Sequence, residues 1–386
     1  MTQDEFVELA LDEPREAEEA LAQHPEIASA GLYAALVLGD AERVPADVSM
    51  AKGGPRNWEP MLYVCFSQMG NRADALTETA RRLLKNGADP NTSYEDARFD
   101  NCRLSCLHGA TGMNNNPALG RVLLEAGADP NDGESLYHSC EHVDLECVRL
   151  LLKFGASPDR ANALKHMLDY EGKEGLRVLL EAGANPNETN SNGETALHWA
   201  VWRGRSPELV RMLLDAGAAV DAPRKDGRTA YALAVRSGQT ETAELLKARG
   251  ADAAISEIDA WIGRGCPADQ GIALAEEDWP LLPELASNRS ESGVRAMLAA
   301  GVPVDTRGEH GGTALHWACW KGYSEIVGLL IGHGASLTIK DTSYDAPPFG
   351  WYEHGLENSH ERNADYPGTL RLLHEASDAA EARSAL

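Results

Sequence analysis

The sequence predicts an all-α solenoid of stacked helix-loop-helix units with short or missing β-hairpin fingers, and three observations carry that prediction. A glycine-alanine signature recurs at Gly87, Gly127, Gly155, Gly183, Gly217, Gly250 and Gly334, with a weaker copy at Gly301. Each copy follows an amphipathic, leucine-rich helix, and a shorter helix opens several of the units. A fixed unit that cannot bury its apolar face alone must stack on its neighbours.

The elements follow in order from local chemistry. Residues 1–30 read as an N-terminal helical cap, and 31–257 as a run of partly divergent repeats. In Glu208-Leu209-Val210-Arg211-Met212-Leu213-Leu214-Asp215-Ala216-Gly217 the apolar residues fall at helical spacing, and the glycine supplies the left-handed residue that ends the helix. In Thr195-Ala196-Leu197-His198-Trp199-Ala200 and Thr313-Ala314-Leu315-His316-Trp317-Ala318 the threonine caps a new helix whose leucine and alanines share one face. Residues 258–309 read as an irregular, divergent repeat, and 310–386 as the last repeats and a C-terminal cap. One solenoid over 1–386 is the expected organisation.

These residues resemble the ankyrin repeat, whose TPLH-like turn, leucine-rich helix and GADVN-like end they match. The match is strongest from about Asn192 to Asp252 and from His310 to Asp341. It is looser from Pro55 to Asn187, where GADPN and Cys106-Leu107-His108 carry it, and weak before Gly31 and from about Ile258 to Glu309. GGPRNWEPMLYVCFS and a Trp-rich last repeat resemble a bacterial type of this family. The resemblance implies an architecture and a surface for partners but no activity.

Spacing departs from the family pattern in places. The signatures stand 40, 28, 28, 34, 33, 51 and 33 residues apart. The two 28-residue units have lost most of the finger, which would open the middle of the concave face. The 40-residue spacing carries extra material in Thr92 to Arg103, and the 51-residue spacing absorbs Asp252 to Asn288. Each is either a loop beside a site or a correction to the stack. The polar insert Trp351 to Tyr366 reads as a lid or as a capping loop.

Composition narrows the functions. Thirty-five Lys and Arg against sixty Asp and Glu leave a net charge of −25, which disfavours nucleic acid and anionic membranes. The first residues hold acids where a secretory peptide needs a basic stretch, and no apolar run approaches the roughly 20 residues of a spanning helix. Seven cysteines, an odd and scattered set, fit free thiols in a reducing compartment, so a cytoplasmic location is expected.

On the short first helices, residues one, four and five places after the motif histidine share a face, and the family resemblance makes that face the concave one. This frame selects Trp199, Trp202 and Arg203; Trp317, Trp320 and Lys321; Tyr63, Phe66 and Ser67; His138, Glu141 and His142; His166, Asp169 and Tyr170; and Trp351 and His354 in the last unit. The unit at Leu233, Arg236 and Ser237 is ordinary. Five of the eight tryptophans fall on this face, as a binding surface would have them. The competing reading of Trp199 and Trp317 is filler packed against the next helix.

Two functions follow. The first is a non-enzymatic scaffold that binds a protein or peptide, favouring a basic one, on Tyr63, Phe66, Trp199, Trp202, Arg203, Trp317, Trp320, Lys321, Trp351 and His354. The second is a small-molecule site or an enzyme of hydrolase, isomerase or lyase type. Its chemistry would come from His138, Glu141, His142, His166, Asp169 and Tyr170, because histidines paired with carboxylates can exchange protons or hold a metal. Specificity is low: His138 and His142 stand at i, i+4 without the glutamate of HExxH, and Cys102 and Cys106 lack a second pair. GxSxG, GxGxxG and P-loop motifs are absent. No cofactor and no metal are expected, and His108, His198 and His316 are assigned to structural hydrogen bonds.

Overall fold

A computed structural model of the chain describes residues 1–48, 50–96, 102–265, 274–359 and 364–384. It contains two compact units, Met1–Gly227 and Arg228–Leu386. Among the described residues no helix is long and apolar enough to cross a membrane.

The first unit opens with α1 (Gln3–Asp12) and α2 (Pro14–Gln23), which pack together, and α1 also packs on α3 (Leu32–Leu38). A capping box starts α1: Glu5 N–H donates to Thr2 Oγ1 at 3.2 Å, and Thr2 N–H to Glu5 Oε2 at 2.7 Å. Phe6, Val7, Ala10 and Leu11 line its buried side. Helix pairs follow: α4 (Pro60–Cys65) with α5 (Ala73–Lys85), a π-helical turn (His108–Met113) with α6 (Pro117–Glu125), α7 (Ser135–Ser139) with α8 (Glu146–Lys153), α9 (Ala163–Met167) with α10 (Lys173–Glu181), and α11 (Ala196–Trp202) with α12 (Pro207–Asp215). One antiparallel hairpin, β1 (Ser93–Asp96) with β2 (Cys102–Ser105), occupies the extra material of the 40-residue spacing; residues 97–101 lie outside the described residues.

The second unit holds α13 (Ala230–Arg236), α14 (Thr240–Ala248), α15 (Glu257–Gly263), α16 (Leu281–Ser287), α17 (Glu291–Ala299), α18 (Ala314–Lys321), α19 (Ser324–Gly332), α20 (Pro348–Asn358) and α21 (Tyr366–Ser384). Residues of the divergent stretch, among them Trp261, Leu282, Leu285, Val294 and Met297, share one core with Leu315, Ile326, Leu330 and Tyr352. Within Asp252–Asn288, residues 266–273 lie outside the described residues.

The signature glycines all take the same conformation, with φ from +84° at Gly334 to +98° at Gly127. A residue with a Cβ is strained there, so glycine ends the helix. The amide that follows reaches back five residues, as Ala218 N to Leu213 O at 3.0 Å and Ala335 N to Leu330 O at 3.0 Å. The asparagine closing each GADPN or GANPN then ties two units together. Asn187 Nδ2 donates to Gly217 O at 2.9 Å while its Oδ1 accepts from Ala219 N at 2.7 Å, and Asn91 and Asn131 repeat the clamp.

The shortened units replace a finger with a turn. Asp132 Oδ1 accepts from the amides of Glu134 and Ser135 at 3.2 and 2.9 Å, so α7 begins directly after the signature. The insert from Trp351 is a helix rather than a lid: α20 packs on α18 so closely that a Cβ on Gly355 would stand 2.1 Å from Trp320 O. Residues 360–363 of that insert lie outside the described residues.

Candidate functional site

In the first unit, the short helices α7, α9 and α11 carry the polar residues into one row. Glu141 Oε1 accepts from His138 Nδ1 at 2.9 Å and from His166 Nε2 at 3.1 Å. His138 Nε2 faces Glu134 Oε2 at 3.3 Å, and His166 Nδ1 faces Asp169 Oδ2 at 3.1 Å. Asp169 Oδ1 in turn accepts from Trp199 Nε1 at 3.0 Å and from Arg203 Nη2 at 2.7 Å. The row thus runs Glu134, His138, Glu141, His166, Asp169, Arg203.

Both ring nitrogens of each histidine face carboxylate oxygens, an arrangement that suits the doubly protonated ring. The hydrogen bond to Glu141 raises His138 above its ordinary value. Burial alone would lower His166, but Asp169 and Glu141 outweigh it and the net shift is upward. Glu141, bonded by His138 and then by His166, is held down at about 2. Burial would raise Asp169, yet His166, Arg203 and Trp199 bring it below the usual carboxylate range. With both histidines protonated, the three carboxylates of the row would meet three cations.

Arg203 is held in place by Asp169 and lies 4.4 Å from the Trp202 ring centroid and 5.2 Å from that of Trp199. Trp202 is 48% exposed and Tyr170 40%, large areas for aromatic side chains. Tyr137, one residue before His138, stacks on His166 at 3.7 Å with the rings 11° apart. His142 stands outside the row, its Nε2 on Gly112 O at 2.6 Å. Among the described residues no group of three or more His, Cys, Asp or Glu side chains is arranged to hold a metal ion.

Three predicted surface residues of one unit are core instead. Tyr63 is fully buried, donating to Gly53 O at 2.8 Å and accepting from Arg56 N at 3.0 Å. Phe66 is buried against Trp58 and Tyr94 at 5.7 and 5.1 Å between centroids. The 53–58 loop and β1 cover this pair of positions, which a helical frame has no means of foreseeing. Ser67 is buried as well, donating to Val37 O at 2.6 Å.

The second unit carries a different surface. His310, Trp317, Trp320, Tyr344, Ala346, Gly350, Trp351 and His354 line a cavity of about 320 Å³. Trp351 is the hub: Trp317, Trp320 and Tyr344 stand 5.1, 6.2 and 6.1 Å from it at interplanar angles of 74°, 89° and 69°. Its indole N–H donates to the buried Asp341 Oδ2 at 2.9 Å. Lys321 Nζ lies 4.9 Å from the Trp320 centroid. The helical frame missed His310, Asp341 and Tyr344 because they stand on connecting segments. It missed Glu134 and Tyr137 because they fall before its first selected position.

His198 and His316 hold helix starts. Thr195 N donates to His198 Nδ1 at 3.2 Å and Thr313 N to His316 Nδ1 at 3.0 Å. His108 differs: its Nδ1 is buried without a partner, and burial followed by the neighbouring His138 lowers it to about 4.

Part of the sequence resembles known proteins, in its repeats. A family model described as ankyrin repeats (3 copies) matches residues 164–257 and 261–341. Target of rapamycin complex 2 subunit AVO2 of Saccharomyces cerevisiae is 40% identical over 52 residues, which cover 14% of this chain and 12% of that protein. Solved structures that resemble it include the human ASB11 ankyrin repeat domain, at 20% identity and a TM-score of 0.40, covering 72% of this chain and 99% of that one. Another is an ankyrin repeat domain from Acinetobacter baumannii AYE, at 26% identity and a TM-score of 0.43, covering 50% and 98%.

Proposed function

The chain is an ankyrin-repeat protein over residues 164–257 and 261–341, and from that premise we propose that it is a non-enzymatic scaffold that binds another protein. Ankyrin repeats are generally protein-protein interaction modules. In the first unit the contact surface is Trp199, Trp202 and Arg203 with the exposed edge of Tyr170. In the second unit Trp317, Trp320, Lys321, Trp351 and His354 offer another.

One observation carries this reading. Trp202 is half exposed, and the guanidinium stacked on it is fixed from below by Asp169. A large aromatic held in one orientation loses little entropy on binding, which is the character of an interface anchor. The net charge of −25 favours a basic partner and speeds the encounter at low salt.

The alternative is a catalytic or small-molecule site built on His138, Glu141, His142, His166, Asp169 and Tyr170. It is less favoured because Glu141 and the other carboxylates of the row engage both nitrogens of His138 and His166. A general base would first have to leave an ion pair.

Crosslinking capture from the cells that make the protein, comparing the native chain with Trp202→Ala, tests the proposal. The same protein should be recovered by the native chain and lost by the variant at an unchanged melting temperature. Equal recovery by both would overturn the assignment of this surface.

A further inference from the structure

We propose that the cavity walled by Trp317, Trp320, Tyr344 and Trp351 binds a quaternary or methylated ammonium group, carried by a small molecule or by a lysine side chain of a bound peptide. It names the ligand chemistry of the second unit's surface and rests on that surface serving recognition.

Ring geometry comes first. The three rings around Trp351 meet it at 69° to 89°, so they form walls at right angles rather than a closed stack. Indole and phenol rings present negative faces, and a cation enclosed by several of them is attracted by each. Lys321 already places an ammonium 4.9 Å from Trp320 while standing outside the cavity lining. A volume of about 320 Å³ lies at the small end of the roughly 300–1,000 Å³ typical of ligand pockets, which suits a compact head group.

Charge points the same way. Asp341 stands behind the Trp351 wall and accepts its indole N–H together with the amides of Ser343, Tyr344 and Ala346, at 2.6 to 3.0 Å. Burial would raise its titration, but these bonds hold it at about 2 and so ionised. An anion on the N–H edge of an indole enriches the ring that faces the cavity. The lining contains no lysine or arginine.

The walls also discriminate between ammonium types. A bare lysine ammonium needs acceptors for three N–H groups, whereas a trimethylated one needs none. The Ala346 carbonyl at the cavity is already occupied by Asp341 N at 3.0 Å and His316 Nε2 at 3.2 Å. Six of the other seven lining residues carry rings, four of them Trp or Tyr, so the methylated cation loses less on entry.

The site is held before any ligand arrives. Trp351 is fixed by Asp341 and by the edge of His316 at 5.4 Å. Tyr366 Oη lies 2.6 Å from the Trp320 carbonyl and 2.8 Å from the Gly355 carbonyl, so its one hydroxyl proton bridges α18 and α20. Tyr344, 67% exposed, is the wall that can be altered without entering the core.

The test is a calorimetric and tryptophan-fluorescence titration of the full chain with choline, with a trimethyllysine peptide and its unmodified form, and with 3,3-dimethylbutan-1-ol, the neutral carbon isostere of choline. We expect choline or the trimethyllysine peptide to bind at least about tenfold more tightly than the neutral isostere or the unmodified peptide. Tyr344→Ala should weaken that binding about threefold to tenfold, and Tyr344→Phe should restore it. The tighter of the two cationic probes identifies the source of the group. Equal binding of the isostere, or no binding by either cation to the folded chain, overturns the proposal. Partner capture through Trp202 is read in a separate experiment, so failure of the scaffold reading and failure of this site give different results.

Discussion

His138 and His166 stand on successive repeats and share a single carboxylate oxygen, Glu141 Oε1, at 2.9 and 3.1 Å. This contact makes stability depend on pH in a defined window. Both histidines bind protons more readily in the fold, so their contribution is complete below their ordinary value of 6.5 and is lost as pH rises through the higher folded values. Glu141 ionises more readily in the fold, so its contribution is complete above 4.5 and is lost as pH falls toward about 2. Stability from this row should therefore peak between about pH 4.5 and 6.5. The side chain of Glu141 is 38% exposed, which limits the effect to about 1 kcal/mol. Thermal melts across pH should show the excess in the native chain and lose it in His138→Gln/His166→Gln; parallel curves would refute the coupling.

A second prediction concerns a buried ion pair of the second unit. Arg236, on the helix whose surface positions look ordinary in sequence, is buried with Nη1 2.5 Å from Asp259 Oδ1 and Nε 2.8 Å from Glu284 Oε1. Arg228 and Ser256 also bond Asp259. Removing the Asp259 carboxylate leaves the buried Arg236 with Glu284 and takes away the counter-ion it shares with Arg228, so Asp259→Ala should cost about 3 kcal/mol. Urea unfolding checks this, and a loss below about 1 kcal/mol would show that water reaches the site.

The asparagine clamp should be measurable in the same way. Asn187→Ala removes both bonds to the next unit, and at about 1 kcal/mol for each net hydrogen bond the loss should be about 2 kcal/mol. Amide exchange should rise at Ala219, whose N–H loses its acceptor. Unchanged exchange there would mean water replaces the side chain without cost.

Close approach of α18 and α20 predicts that Gly355→Ala is destabilising despite alanine's higher helix propensity. The new methyl would meet the Trp320 carbonyl at 2.1 Å, and overpacking of this kind costs about 1–3 kcal/mol. Thermal melts should fall accordingly, and the cavity should lose affinity for its cation as α20 moves. A gain in stability would mean that the helices separate freely.

Much of the fold was legible because it rests on local rules. The signature glycines end helices by a backbone conformation only glycine adopts without strain, and the amphipathic leucines before them have nowhere to go but against the next unit. Thr195 with His198, and Thr313 with His316, likewise act within four residues. The site was legible in part. Helical spacing selected His138, Glu141, His166 and Asp169, which the structure joins, but also Tyr63 and Phe66, which it buries.

What the sequence determined by itself is the repeat and the short helices that carry the candidate residues, because each depends on interactions a few residues apart. The tertiary structure alone decided which of those residues face outward and which meet. Tyr63 is covered by the 53–58 loop, Trp351 is anchored by Asp341 ten residues away, and Tyr344 and His310 reach the same cavity from different connections. Burial and ion pairing are set by what packs from elsewhere in the chain, and a periodic pattern records only the face, not its neighbour.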